Sequence, residues 1–514
     1  MSGWVMPDND LRVESLSLYL RYKSDSSPVI IPISYSSKRE NIALLYPART
    51  GAEFYVFSLL SGSLQIRDIL SAELHWGLSN GQTITADLSS MIFRNKFHWW
   101  LTTFHNYKKL LYKAVKLLRN AEVSVFISKI KKYMSKPARK YPVASIQRVQ
   151  SAVKGKAIAL IVDHDLGGGA NLYRKEYVAN KLAVGQAVIV VGFDIIKLQY
   201  FLDVFREKKR LRYGIDSIED VLSFIHSADV TSMLYNCAVS FPEPILCFEF
   251  LINLKKQQNC EFIVALHDYF LICPSPFLIN SEGSYCGIPD PKVCASCLAH
   301  HNDDFVRMLA VNNITDWREQ CAYLLKAADQ VALFSEASKR LLKKAHPKLS
   351  DENWKVIPHV LHTIMHKVSL KAANHLHIGV VGSIGKHKGA DVVNELAHEI
   401  LRVGSEAKIT VIGMLDAIAP VNIVTVTGNY KPADLPDLIA NSGIDIFLFP
   451  SICAETFSYV CHELVAMDVP IACFDLGAPA DLVRDYAKGQ ILKSTAPDDI
   501  LKNLAEFKNR IYKL

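Results

Sequence analysis

The pattern of apolar and polar positions changes character along the 514-residue chain. Residues 1–92 carry short apolar runs: Leu16 to Tyr22, Val29 to Ile33, Ile42 to Tyr46 and Glu53 to Phe57. Clusters of Ser, Asp, Asn and Gly separate them. Runs of this length between turn formers predict strands, here a small β-rich, sandwich-like accessory domain. Such a domain suits a sugar, another subunit or a purely structural appendage.

Residues 93–155 read differently. Lys108-Lys-Leu-Leu-Tyr-Lys-Ala-Val-Lys-Leu-Leu-Arg119 places apolar residues at helical spacing with lysines between, after Trp99, Trp100, Phe104 and Tyr107. This predicts a basic amphipathic helix, followed by a linker over 135–155. Such a helix can lie on an anionic membrane surface. It can equally pack on its own protein with its lysines in water.

From Lys156 onward, strands and helices alternate. Ala157 to Val162, Ala187 to Val191, Phe262 to Leu266 and Gln330 to Phe334 form one set of apolar runs. His377 to Val381, Ala407 to Ile412, Ile423 to Val426, Ile444 to Phe449 and Val469 to Phe474 form a second. Near-continuous apolar runs are those of parallel strands covered on both faces. The prediction is two α/β domains, 156–370 and 371–514, with a break near 365–375. Each is a Rossmann-like doubly wound unit, and ligands of such units sit at the carboxyl ends of the strands, here in the cleft between domains.

Composition narrows the function. Half of the residues are hydrophobic and 21% charged, as in globular proteins. No run of about 18 apolar residues predicts a membrane span, and the first residues lack the apolar core of a signal peptide. A cytoplasmic location is expected, with eleven cysteines that do not form a secreted disulfide framework. The net charge of +7 is local. Residues 94–140 hold thirteen Lys or Arg against Glu122 alone, so the rest of the chain sums to −5. Nucleic acid is therefore not an expected partner of the whole protein.

The most informative segment is Phe447-Leu-Phe-Pro-Ser-Ile-Cys-Ala-Glu455-Thr-Phe-Ser-Tyr-Val-Cys-His-Glu463. It reads as a buried strand, a turn and a helix beginning near Thr456, with Thr456 and Ser458 as cap residues and Phe457 between them. The helix start can hold a diphosphate. Glu455 can reach a sugar hydroxyl, and Glu463, about 12 Å further along, a ribose diol. Gly167-Gly-Gly169 after the first α/β strand lets backbone approach a ligand closely. It matches neither the dinucleotide nor the Gly-Lys-Ser/Thr phosphate loop. Gly382-Ser383-Ile-Gly-Lys386-His-Lys388-Gly389 follows the first strand of the second domain, where a lysine can neutralise phosphate. His267-Asp268 ends a strand and is expected to face the cleft. Cys273, Cys286, Cys294 and Cys297 lie in a Pro-, Gly- and Ser-rich insertion, 273–297. Their spacing fits a structural zinc, with His300 and His301 as alternative ligands; reduced thiols or a disulfide are the other readings.

Together these residues resemble the retaining glycosyltransferases of family four (group one), which have the GT-B fold. The resemblance covers about residues 156–510, and is nearest to the bacterial subgroup that builds O-antigen and other surface polysaccharides, in which His-Asp-Tyr-x-x-x-Cys-Pro and a cysteine-rich insertion also occur. It implies that Glu455 binds donor-sugar hydroxyls, Glu463 the nucleoside ribose and Lys388 the diphosphate. It places His267 beside the reacting sugar and Gly167 to Gly169 near the diphosphate or acceptor. Many relatives carry Arg where Ser383 stands, so one phosphate-binding cation is missing and Lys386 or another residue takes its part. The family generally needs no divalent metal, and none is expected at Asp163-His-Asp165. The implied activity is transfer of a hexose or 6-deoxyhexose from a nucleotide sugar to a growing, lipid-linked glycan at the inner face of the cytoplasmic membrane. Other polysaccharide-synthesis proteins are potential partners. A sugar phosphorylase or epimerase, or a non-catalytic scaffold, are the alternative classes.

Overall fold

The computed structural model describes residues 2–5, 13–22, 29–32, 35–37, 55–58, 69–87 and 141. It then describes residues 146–513, apart from positions 196, 198, 208, 216–220, 222–224, 226–227, 310, 312, 362 and 364. The basic segment 94–140 and the run Ile42 to Tyr46 lie outside the described residues. The chain forms two compact units, 1–143 with 214–223, and 144–213 with 224–514.

The first unit is all β where described. Strands β1 (Ser2–Val5), β4 (Tyr35–Ser37) and β5 (Tyr55–Ser58) pair in the order β1-β5-β4. Strands β2 (Val13–Tyr22), β3 (Val29–Pro32), β6 (Ile69–Leu78) and β7 (Thr83–Asp87) pair in the order β3-β2-β6-β7. Every pairing in both sheets is antiparallel. Leu16, Leu74, Trp76 and Leu78 are buried, and Leu16 stands opposite Trp76. Alternate positions thus face a core, as period-2 patterning requires. The sequence pattern missed β6 and β7, whose His, Glu, Thr and Asp residues break the apolar runs.

The second unit opens with helix α1 (Ile146–Val153), inside the stretch expected to be a linker. Val149 and Val153 are buried, which makes this helix part of the fold. The first lobe then builds one sheet. Its strands are β8 (Ile158–Val162), β9 (Ala187–Asp194), β10 (Gln199–Arg206), β11 (Lys209–Ile215), β12 (Val230–Tyr235), β13 (Glu261–Ala265), β14 (Gln330–Leu333) and β15 (Trp354–Val356). The order is β11-β10-β9-β8-β12-β13-β14-β15. Strands β8, β9 and β12 to β15 are parallel, whereas β10 runs antiparallel to β9. Helix α2 (Gly169–Ala183) links β8 to β9, and α3 (Pro291–Ala299) lies in the cysteine-rich insertion.

The second lobe is an all-parallel sheet of order β18-β17-β16-β19-β20-β21. Its elements are β16 (His377–Ile384), α4 (Ala390–Arg402), β17 (Lys408–Leu415), β18 (Val424–Val426), β19 (Ile446–Phe449), α5 (Tyr459–Ala466), β20 (Ile471–Phe474), α6 (Gly477–Arg484), β21 (Gly489–Leu492) and α7 (Pro497–Tyr512). Helix α7 buries Ile500, Leu504 and Phe507, spaced as one helical face, against α4. Strand β16 runs three residues further than the apolar run, so Gly382 and Ser383 belong to the strand end and not to a following loop.

The order of strands reverses at β8 in the first lobe and at β16 in the second. Open α/β sheets bind ligands beyond the carboxyl ends of strands at such switch points. The Gly167 to Gly169 turn follows β8, and the Lys388 turn follows β16.

Candidate active site between the two lobes

The site of the second lobe is built by three interlocking turns. After β16, a single 3-10 turn, Lys386–Lys388, ends at Gly389, whose φ is 83°. A Cβ on Gly389 would stand 1.9 Å from the carbonyl oxygen of Pro450, so only glycine lets this turn press against the one after β19. After β20, Gly477 (φ 61°) presses on Glu455 in the same way, with a Cβ falling 2.7 Å from the Glu455 backbone. The Ala478 N–H donates to the Glu455 carbonyl at 2.9 Å. The turn after β20 thus holds the Glu455 backbone.

The result is an ion pair of loose geometry. Lys388 Nζ stands 3.9 Å from Glu455 Oε1, with the carboxylate 11% exposed and the lysine 40%. Glu455 Oε1 is buried without a hydrogen-bond partner. A buried carboxylate oxygen in that state is an unused acceptor, which costs stability unless a ligand supplies a donor.

Residues 363–510 match the family described as "Glycosyl transferases group 1". This stretch is a group 1 glycosyltransferase domain. The match does not extend to the first lobe or the N-terminal unit. No curated protein matches the chain by sequence. Similar solved structures include sucrose-phosphate synthase from Thermosynechococcus elongatus, at 14% identity, covering 70% of this chain and 94% of that one, with a TM-score of 0.43. A lipopolysaccharide outer core galactosyltransferase in its apo form is 12% identical, covering 69% and 91%, with a TM-score of 0.42. An Anabaena protein in complex with UDP is 13% identical, covering 70% and 94%, with a TM-score of 0.41. Two Rossmann-like lobes, the second being the matched domain, make the fold GT-B, as the resemblance implied.

Within the glycosyltransferase domain, α5 begins at Tyr459, three residues later than expected. Ser458 is its cap and accepts from the Cys461 N–H at 3.3 Å. Thr456 caps nothing. Its hydroxyl crosses to the first lobe and donates to the carbonyl of His267 at 2.8 Å. Ser338 Oγ donates to the Thr456 carbonyl at 3.3 Å. Phe457 also crosses, packing on the first-lobe core around Val178 and Phe334. Glu463 lies half-buried on α5, and burial raises its carboxyl above the ordinary range. Tyr430 and Tyr459 are near enough to feel its charge.

The first lobe presents the glycine turn and His267. Gly167 (φ 88°) and Gly168 (φ 81°) both need the left-handed region, and nothing lies within 4 Å of where their side chains would be. Gly169 is the point of approach, since a Cβ there would meet the Tyr459 ring at 3.2 Å. Asp163, wholly buried, anchors the turn by accepting from the His164 N–H at 2.8 Å and from Asn171 Nδ2 at 3.1 Å, with Arg174 Nη1 at 2.9 Å. Asn171 Oδ1 accepts from the Gly167 N–H. Burial pushes the Asp163 carboxyl up, while His164, Arg174 and the Asn236 amide counter it. Asp165 pairs with Arg174 at 3.3 Å and Arg212 at 2.7 Å. These carboxylates are committed to arginines.

His267 lies under an aromatic layer. Its ring stacks on Phe334 at 4.5 Å and is parallel to His359 at 5.5 Å, with Tyr173 edge-on at 5.1 Å. Burial, together with His359 and His164, lowers its pKa well below the ordinary value and keeps the ring neutral near pH 7. The structure thus brings together Glu455, Thr456, Phe457, Lys388, His267 and the glycine turn. Ser383 is exposed at the end of β16.

The cysteine-rich insertion reaches the second lobe through Phe277, whose ring stacks on His387 at 4.0 Å. Cys273, Cys286, Cys294 and Cys297 are free and close enough to influence one another's charge. Burial raises Cys273, Cys286 and Cys294. His300 and His301 are engaged with the carbonyls of Ser296 and Ile279. Among the described residues, no group of three or more His, Cys, Asp or Glu is arranged to hold a metal ion. Among the described residues, no helix is long and apolar enough to cross a membrane.

Sequence reasoning missed Asn171, Arg174, Asn236, His359 and Gly477. The signal for Asn236 was present: a polar residue directly after an apolar strand, as at His267. Strand β12 went unrecognised because Thr231 and Ser232 interrupt it.

Proposed function

We propose that the protein is a retaining glycosyltransferase that moves a hexose or 6-deoxyhexose from a nucleotide sugar to a growing, lipid-linked glycan of a bacterial surface polysaccharide. The observation that carries it is the meeting of Lys388 with the partnerless Glu455 oxygen, beside the capped start of α5. Glu455 accepts hydrogen bonds from donor-sugar hydroxyls, and Glu463 from the ribose. Lys388, the α5 N-terminus and the backbone of Gly382 and Ser383 take the diphosphate. His267 stands beside the sugar, and Gly167 to Gly169 border the diphosphate and acceptor.

In the reaction, the bond from the anomeric carbon to the phosphate oxygen breaks and its electron pair leaves with the diphosphate. Lys388 and the helix dipole stabilise that charge. The acceptor oxygen forms the new bond on the same face, and its proton passes to the departing phosphate oxygen. No step uses a metal.

The deciding experiment is a panel of nucleotide sugars with the purified protein, read as release of nucleoside diphosphate. Turnover lost in Glu455→Ala supports the proposal. No turnover with any donor and a suitable acceptor, with Glu455→Ala behaving identically, overturns it. We further propose that residues 94–140 bind anionic membrane, which calls for sedimentation with anionic vesicles that weakens as salt rises; equal binding to neutral vesicles sinks it. A structural zinc on the four cysteines requires them to draw together into a ligand set that they do not form here; about one zinc per chain by elemental analysis supports it, and its absence removes that proposal.

A further inference from the structure

His267 is held by a second residue. Asn236 follows β12, is 1% exposed and places Oδ1 2.8 Å from His267 Nε2. Which amide atom faces the ring is settled by the other end of the side chain. Nδ2 lies 3.0 Å from the carbonyl oxygen of Ala170, which can only accept. The NH2 group must therefore face Ala170, and Oδ1 must face His267. An amide oxygen only accepts, so Nε2 carries the ring proton. In the neutral ring, Nδ1 is then the acceptor.

The environment locks this state. The Asn236 N–H donates to the Val162 carbonyl at 2.8 Å, fixing the backbone at the end of β8. Phe334 stacks on the imidazole and Tyr173 meets it edge-on, so the ring cannot turn over without displacing both. Among the described residues Nδ1 has no hydrogen-bond partner, and Thr456 beside Glu455 holds the carbonyl of the same histidine. Ala170 lies in the first turn of α2, directly after the three glycines. One buried amide thus couples the glycine turn to His267.

We propose that Asn236 is a positioning residue, which fixes His267 as the Nε2-protonated tautomer and so presents Nδ1 as a hydrogen-bond acceptor to a hydroxyl of the donor sugar. This rests on the donor-site assignment made above. It adds a residue that touches no substrate and acts only through the ring. Loss of Asn236 leaves Nε2–H without its buried acceptor, and the proton is then free to redistribute between the two nitrogens.

The test reads the tautomer directly, by nitrogen NMR of protein labelled at histidine, with His267→Gln assigning the signal among the 17 histidines. In the wild type, Nε2 is expected to be pyrrole-like and Nδ1 pyridine-like. In Asn236→Leu the two shifts should converge, and kcat should fall by about tenfold or more while KM for the donor stays within about twofold. Asn236→Asp retains an acceptor at Nε2 and should keep the wild-type pattern, at a cost in stability because its second oxygen replaces the donor to the Ala170 carbonyl; Asn236→Ala serves where Asn236→Leu does not fold. A pyrrole-like Nδ1 in the wild type overturns the proposal, as does an unchanged tautomer and kcat in Asn236→Leu. Absence of turnover with every donor in the wild type would remove the reaction, and the positioning role with it. The nitrogen shifts would still report whether Asn236 sets the ring, so the two failures read differently.

Discussion

The hydroxyl of Thr456 donates to the carbonyl oxygen of His267 at 2.8 Å, joining residues 189 positions apart and belonging to opposite lobes. The bond is partly buried, so removing the donor leaves a largely shielded acceptor without its partner. Thr456→Val, which keeps the shape, is expected to cost about 1–3 kcal/mol of interlobe stability. Turnover should fall several-fold more than donor affinity. Thermal melts and steady-state kinetics check this, and a Thr456→Val protein matching the wild type in both contradicts it.

Glu455 and Glu463 should fail differently. Glu455 lies against Lys388 and is clamped by Gly477, whereas Glu463 stands further along α5 near Tyr430. Glu455→Ala is expected to lower kcat about 100-fold and relax the choice of sugar. Glu463→Ala is expected to weaken nucleoside diphosphate binding about tenfold, or ~1.4 kcal/mol. Calorimetry with the nucleotide separates them; equal losses of nucleotide affinity would refute the division.

A buried ion pair under the second lobe sets a stability prediction. Lys508 Nζ lies 2.9 Å from Asp445 Oδ2, both side chains nearly inaccessible. Asp445 also accepts from the backbone N–H of Ala373 at 2.6 Å and of His377 at 2.8 Å, tying the interlobe connection to the sheet. Asp445→Ala strands a buried ammonium and should cost about 3–5 kcal/mol. Adding Lys508→Met should recover part of that loss. Denaturant midpoints of the single and double variants provide the check.

His387 supplies a pH dependence. Burial, with the charge of Lys388 beside it, pushes its pKa down from 6.5 to about 4. The unfolded chain then binds this proton first as pH falls, so the contribution of His387 to stability declines between about pH 6.5 and about 4 and is level outside that window. His387→Phe keeps a ring against Phe277 and removes the proton. Its melting temperature should fall less than that of the wild type from pH 7 to pH 4.5. Parallel curves for the two proteins would show that His387 does not titrate in this way.

Much of the second unit was legible. Strands β8, β13, β14, β16, β17 and β19 were read from their apolar runs because a parallel strand covered on both faces must be apolar at nearly every position. The pattern of Thr456, Phe457 and Ser458 located a helix start, but three residues early, since the cap that wins is the one whose hydroxyl meets an N–H, and that is Ser458. Strands β10, β12 and β15 were not read, because Asp203, Ser232 and Lys355 interrupt their runs, and the partner that lets Asp203 be buried, the Arg212 guanidinium, meets it only in the folded sheet.

The amino-acid sequence by itself determined two doubly wound lobes, the glycine turn after β8, the lysine turn after β16 and the glutamate after β19. Each is a local consequence of which residues tolerate burial, left-handed backbone or a helix start. Only the tertiary structure decided what meets what. Pro450 forces Gly389, and Gly477 clamps Glu455; Thr456 leaves its own helix to hold His267, and Asn236 orients the same ring from below. These contacts depend on how strand ends stack across the sheets and across the seam, and a pattern with periods of two or 3.6 residues carries no record of that distance.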